Sequence, residues 1–331
     1  MSKSFYYQHA GALNRELKQT IPTEELKKLH RKSPLRHFVI AGRQISLLII
    51  LPLVIYHFQH PLIWIPASIW MGFNLFGFMI LLHEAVHKCI FNKDPYNLTL
   101  WLGHVYALCS GGLAYSQFRR WHLDHHNELG SATEDPKRAY LSPAINARWY
   151  KLLYATPWLF VLYTRASARA QANYPDELKR RIKREKLLGI GFDLGVLIWF
   201  WNISPLFALK AWIIPLFFVF PVAFILNRIG QHYVVDPDKV GNWSTLVRPN
   251  PFWNFIFLFS SYHLEHHYFP AVPFYRLKAL QRALEPFFAK HQIPGYNYTQ
   301  LLKYWFVDNH QAHTKPKDAL SLSPTAGEIA S

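Results

Sequence analysis

The stretch PLIWIPASIWMGFNLFGFMILLHEAVH, residues 61–87, is apolar over 61–82 and then presents two histidines four positions apart, His83 and His87. A helix needs about 20 apolar residues to cross roughly 30 Å of hydrocarbon. Pro61 suits the first helical position, where its missing N–H costs nothing. The run therefore reads as a membrane span that ends in a pair of imidazoles on one helix face.

Three further runs of similar length lie outward from it, at residues 38–58, 187–203 and 206–226. All four come as two tight pairs and are apolar all round, which favours two membrane hairpins over the buried helices of a water-soluble core. The intervening turns, 56–60 and 202–205, contain neither Lys nor Arg. Arg43 sits near the start of the first run, and Lys210 alone among the 36 basic residues lies deeper in a hairpin. The other basic charges fall on one side, which the positive-inside rule makes cytoplasmic, together with both termini. The net charge of +16 then marks an anionic membrane surface and no nucleic acid. Either the bacterial inner membrane or the endoplasmic reticulum fits this orientation. Cys89 and Cys109 are the only cysteines, too few for a disulfide framework or a Cys-rich metal site.

The remaining segments are read around these hairpins. Residues 1–37 form a polar cytoplasmic segment without the apolar run of a signal peptide. Residues 98–118 are long enough to cross, but crossing would put the flanking histidine clusters on opposite faces. They are expected to be re-entrant or buried in the cytoplasmic half, where protein covers the irregular backbone. Residues 149–163 read as interfacial, and the basic segment 176–186 as a charged helix at the lipid surface. The membrane domain is expected to extend over 38–313, followed by a polar, disordered tail at 314–331.

Two more histidine clusters share the ligand-like spacing of His83 and His87. They are HLDHH, with His122, His125 and His126, and HLEHH, with His263, His266 and His267. Eight imidazoles exceed the four ligands of a structural zinc site, whereas two metals with four or five ligands each fit the count. Imidazole suits Fe, Zn, Cu and Ni alike. HEAVH also matches the zinc-hydrolase pattern H-E-x-x-H, with Glu84 as general base. That alternative leaves the second and third clusters unexplained.

In this order and setting, HEAVH, HLDHH and HLEHH resemble the three histidine boxes of the membrane fatty-acid desaturase family. Asn127 after the second box, the acidic stretch Glu134-Asp135-Pro136, and YFPAVPFYRL after the third, with Pro270 and Pro273, extend the resemblance over about residues 38–290. It implies an all-α integral membrane protein: four transmembrane helices capped by a cytoplasmic helical domain that holds a dimetal centre. It implies two non-haem Fe ions held by the box histidines, with His232 in NRIGQHY as a ninth ligand. Glu84, Asp124 and Glu265 lie within the boxes and are candidates to accept hydrogen bonds from the outward N–H groups of the ligands. His104 has no box partner and is expected to be a core or supporting residue.

The resemblance further implies O2 as co-substrate and desaturation of a lipid acyl chain, with electrons arriving from outside. No cytochrome-b5-like H-P-G-G is present: His60-Pro61 continues with Leu62 and lies on the opposite side. Gly189-Ile190-Gly191 opens a membrane run with no preceding strand, so it is not a dinucleotide fingerprint. A separate donor of ferredoxin or cytochrome b5 type is therefore expected, steered by the basic face. Hydroxylation of a lipid or carotenoid, or ketolation, by the same centre is the alternative outcome. A zinc hydrolase and a membrane metal carrier stand further off.

Overall fold

A computed structural model describes residues 4–315 of the chain. Most of the polar tail expected at 314–331 thus lies outside the described residues, as do residues 1–3. Its first two residues are held: Thr314 pairs with Val234, and Lys315 Nζ lies 3.0 Å from Asp236 Oδ1.

The protein is mostly helical, and four helices are long and apolar enough to cross a membrane: Pro34–His57, Pro61–Val86, Asp176–Ile203 and Pro205–His232. Each begins with a recognisable device or runs on from a polar segment. Ser33 Oγ accepts from Arg36 N–H ahead of Pro34, and His60 Nδ1 accepts from Leu62 N–H ahead of Pro61. Both patterns cap the free amides of a first turn. The helices run past the apolar limits read from sequence. The second and fourth continue to the histidines at their ends, and the basic segment at 176–186 forms the opening turns of the third span rather than a separate surface helix. Hydropathy marks where the hydrocarbon stops and not where the helix does.

Apolar burial is unequal. In the third helix 11% of the apolar window is buried within the protein, against 67% in the second. Leu187, Leu188, Ile190 and Trp199 face outward. An apolar surface of this extent is stable against lipid and not against water.

The second span packs against both the first and the fourth. Asn74 Nδ2 donates to the Gln44 carbonyl at 3.0 Å. Gly72 meets the fourth span so closely that a Cβ would lie 2.7 Å from the Pro215 carbonyl. Pro215, which has no N–H, sits in a π-type stretch at Leu209–Val219, where the regular ladder is already interrupted. Lys210 Nζ reaches Gln59 Oε1 at 2.8 Å and lies 4.7 Å from the Trp64 ring. The turn ends of both helical pairs thus meet at one end of the molecule.

Residues 98–118 do not form one long helix. Leu98–Cys109 spans 12 residues, about 18 Å at 1.5 Å per residue, too short to cross. The chain then turns at Gly111 and Gly112, both at positive φ, and enters Tyr115–Asn127, which carries the second histidine cluster. A Cβ on Gly112 would lie 2.9 Å from the backbone of Gly189. Gly189 thus has a packing role: it lets this turn press against the third span. The stretch 149–163 is split between the short helix Arg148–Leu153 and the start of Trp158–Gln171, with Trp149 and Trp158 exposed. A single two-residue parallel pairing, Leu246–Val247 with Gly295–Tyr296, is the one sheet among the described residues.

Candidate metal centre

The histidines arrive from four helices. His83 and His87 close the second span, His122, His125 and His126 lie on Tyr115–Asn127, His232 ends the fourth span, and His263, His266 and His267 lie on His263–Tyr268. Their ring nitrogens gather into two groups: His83, His87, His122, His126 and His266 in one, His125, His232, His263 and His267 in the other. Within each group the nitrogens lie within 4.8 Å of one another. All nine imidazoles singled out in the sequence are brought together, and His104 is not. Its ring lies against that of Tyr115, tilted by 47° with centroids 4.7 Å apart.

Helical geometry explains the division. Positions i and i+4 share a face, whereas neighbouring positions do not. His122 and His126 therefore turn to the first group while His125 turns to the second. His263 and His267 turn to the second group and His266 to the first. Each H-x-x-H-H box thus serves both groups.

Within the first group the Nε2 atoms of His87 and His122 lie 2.6 Å apart, those of His122 and His126 3.0 Å, and those of His126 and His266 3.1 Å. In the second, His232 Nε2 lies 3.0 Å from that of His125, 2.9 Å from that of His263 and 3.2 Å from that of His267. One proton can serve only one such pair, so convergent imidazoles cannot satisfy one another by hydrogen bonding. His83 Nε2 is buried with no hydrogen-bond partner. A cation at each focus would use the lone pairs that are left over. All-imidazole donor sets of five and four fit transition metals.

The outward nitrogens are held selectively. His125 Nδ1 lies 2.8 Å from Asp135 Oδ1. The same oxygen accepts the Lys137 N–H at 2.9 Å, which fixes the carboxylate. His232 Nδ1 lies 3.2 Å from the Trp243 carbonyl, and His122 Nδ1 lies 3.0 Å from Lys137 Nζ. Burial pushes the pKa values of His122, His125, His126, His263, His266 and His267 well below the ordinary histidine value, and that of His87 down to about 3. These rings are therefore neutral, the state in which imidazole binds metal. Burial also raises Asp135 and draws Lys137 down to about 7.

The three acidic candidates fare differently. Glu84 is buried, accepts the Phe274 N–H at 3.1 Å, and places its other oxygen 3.8 Å from His83 Nδ1. Asp124 does not approach a box histidine but pairs with Arg120 at 2.8 Å, one turn back on its own helix. Glu265 is buried and accepts from Gln281 at 2.6 Å, again away from the imidazoles. The spacing that sends box histidines inward turns the residues between them elsewhere. Asp135 is the acceptor that box-centred reasoning missed. Its signal is an Asp directly before Pro136, where a side chain commonly takes nearby backbone N–H groups. The Trp243 carbonyl, being backbone, has no sequence signal.

A cavity opens on His83, His122, His263 and His266. Its apolar wall includes Phe76, Met79, Ile80, Phe118 and Phe224; its polar wall includes Lys137, Asn227, Arg228 and Gln231. A separate surface groove, bordered by Tyr7, Asn14 and Lys18, reaches His87 and His126 from the other side.

A family model described as fatty acid desaturase matches residues 59–299. Sphingolipid delta(4)-desaturase/C4-monooxygenase of Homo sapiens is 25% identical over 257 residues, covering 74% of this chain and 72% of that protein. The Mus musculus protein of the same name is 24% identical over 252 residues, with the same coverage. Dihydrorhizobitoxine desaturase of Bradyrhizobium elkanii is 23% identical over 254 residues, covering 70% of this chain and 68% of that protein.

Proposed function

The chain belongs to the fatty acid desaturase family, and we propose that it is an O2-dependent, di-iron membrane desaturase that introduces a double bond into a lipid acyl chain. The observation that carries this reading is the convergence of nine imidazoles in two groups beside a largely apolar cavity. His83, His87, His122, His126 and His266 would hold one iron, and His125, His232, His263 and His267 the other. When bound, the irons supply O2 activation and the oxidising power to remove hydrogen from an unactivated C–H bond.

The chain's own residues supply position and dryness. Asp135 and the Trp243 carbonyl aim His125 and His232 by accepting their outward N–H groups. Phe76, Met79, Ile80 and Phe118 give the substrate chain an apolar bed and exclude water from the reacting carbons. Residues 38–313 form the working unit, with both termini and all boxes on the cytoplasmic side. The contact of Lys210 with Gln59 brings the two turn ends together, which supports a common side for the boxes and the termini, and the basic excess of the polar segments supports that side being cytoplasmic. A separate ferredoxin or cytochrome b5 type donor docks at the groove that reaches His87 and His126, where Lys18 adds positive charge.

Hydroxylation is the second reading, favoured by the paired desaturase and monooxygenase activities in the name of the human relative. The zinc-hydrolase alternative uses His83, His87 and Glu84 and gives the other imidazoles no role. Lipid profiling of cells expressing the chain tests these readings. A new double bond that depends on O2 and on His266 supports desaturation, and a new hydroxyl supports the second reading. An unchanged oxygen-dependent lipid profile with donor supplied contradicts both.

A further inference from the structure

The cavity that opens on the histidines is not lined as a plain hydrocarbon would require. Arg228 lies one turn before His232 on the fourth span, on the same helix face, about 6 Å away by Cβ spacing. It is 4% exposed and lines the cavity together with Lys137. No carboxylate pairs with Arg228 among the described residues. Nη2 donates to the Lys137 carbonyl at 3.1 Å and Nε to the Tyr233 hydroxyl at 3.3 Å. Nη1 has no hydrogen-bond partner among those residues. The acid on the cavity wall, Glu84, already takes the Phe274 N–H. Below the guanidinium, Gln231 donates to Asn227, which donates to Ser260, forming a polar strip along the same wall.

A buried cation is stable when it is paired and hydrogen-bonded. Two of the three nitrogens here clamp the fold, with the guanidinium 5.6 Å from the Tyr233 ring centroid, and the third has no hydrogen-bond partner although the residue lines the cavity. A guanidinium with free N–H groups is suited to a carboxylate or phosphate. We propose that Arg228 seats an anionic head group of the substrate, so that the substrate is an anionic amphiphile oxidised close to its head. This rests on the desaturase reading for the oxidation and on the cavity alone for the binding. A neutral lipid would leave the guanidinium unpaired beside the reacting carbons. A long-chain carboxylate or phosphate would pair it and lay its tail along Phe76 and Phe118.

The test is equilibrium binding to the purified, iron-loaded full chain in neutral detergent, which needs no turnover. The probes are palmitate, hexadecyl phosphate and hexadecanol, which share a tail length. The proposal expects at least one anionic probe to bind ten-fold or more tightly than the alcohol; which one does so separates a carboxylate from a phosphate head. Arg228→Gln removes that preference and leaves alcohol affinity and iron content unchanged, while Arg228→Lys keeps part of it. Equal binding of all three probes to the unaltered protein overturns the proposal, and this arm depends on no variant. So does a preference that survives Arg228→Gln but is lost in Arg165→Gln/Arg169→Gln, two exposed arginines that line a separate basic cavity. A chain that binds palmitate through Arg228 yet oxidises nothing would refute the desaturase reading alone.

Discussion

His125 Nδ1 and Asp135 Oδ1 lie 2.8 Å apart, both buried, and the carboxylate is fixed in turn by the Lys137 N–H. This pair joins the second box to the turn that follows it and sets the direction of one ring in the second imidazole group. Replacing Asp135 with Asn keeps the shape but removes the charge that favours a protonated Nδ1. Loss of such an outward partner typically costs 10- to 100-fold in metal affinity. Iron titration of the purified variant is expected to show a loss in that range, with the helical circular dichroism unchanged.

His232 and His104 provide a matched comparison. Both lie outside the three boxes, but His232 meets three other imidazoles and His104 meets Tyr115. His232→Ala is expected to lower bound iron by about half and abolish turnover. His104→Ala is expected to keep both. Equal effects of the two changes on iron content would remove His232 from the centre.

Asp124 sits inside the second box yet pairs with Arg120 on the helix surface. An i,i+4 ion pair of this kind contributes about 0.3–0.5 kcal/mol. Asp124→Ala should therefore shift thermal stability only slightly and leave activity within about two-fold, a tolerance expected of a surface pair. A loss of iron in this variant would show that the residue supports the centre after all.

The neutral imidazoles make a signed prediction for the metal-free protein. Their folded-state pKa values lie below the ordinary 6.5, down to about 3 for His87. The unfolded chain thus takes up more protons as pH falls, and stability present above 6.5 is lost on acidification through that window. Thermal melts of metal-free protein between pH about 7 and about 4 should show a falling midpoint, and bound metal should oppose the fall. A midpoint that rises on acidification would contradict neutral burial of these rings.

The four spans were legible because hydrocarbon thickness imposes a length on apolar runs. Their ends were not, because a helix emerging into a protein cap keeps its hydrogen bonds while changing its side chains. The basic turns at 176–186 show this: read alone they suggest a surface helix, yet they continue into the third span. The histidine clusters flanking residues 98–118 indicated that the segment does not cross, and the structure makes the break at Gly111 and Gly112, both at positive φ. Box spacing indicated which histidines share a face, so their gathering could be expected. The supporting groups followed another logic. Glu84, next to His83 in sequence, lies 3.8 Å from its Nδ1 and takes the Phe274 N–H instead. Asp135, ten residues beyond His125, and the Trp243 carbonyl become neighbours only through tertiary packing.

Elemental analysis of the detergent-purified full chain after iron-replete expression tests the central claim most directly. Two imidazole groups, of five and four rings, predict about two metal ions per chain, and the desaturase reading makes them iron with little zinc. One zinc per chain with no iron, persisting when zinc is excluded during purification, would contradict the di-iron account and return attention to Glu84 and the HEAVH motif.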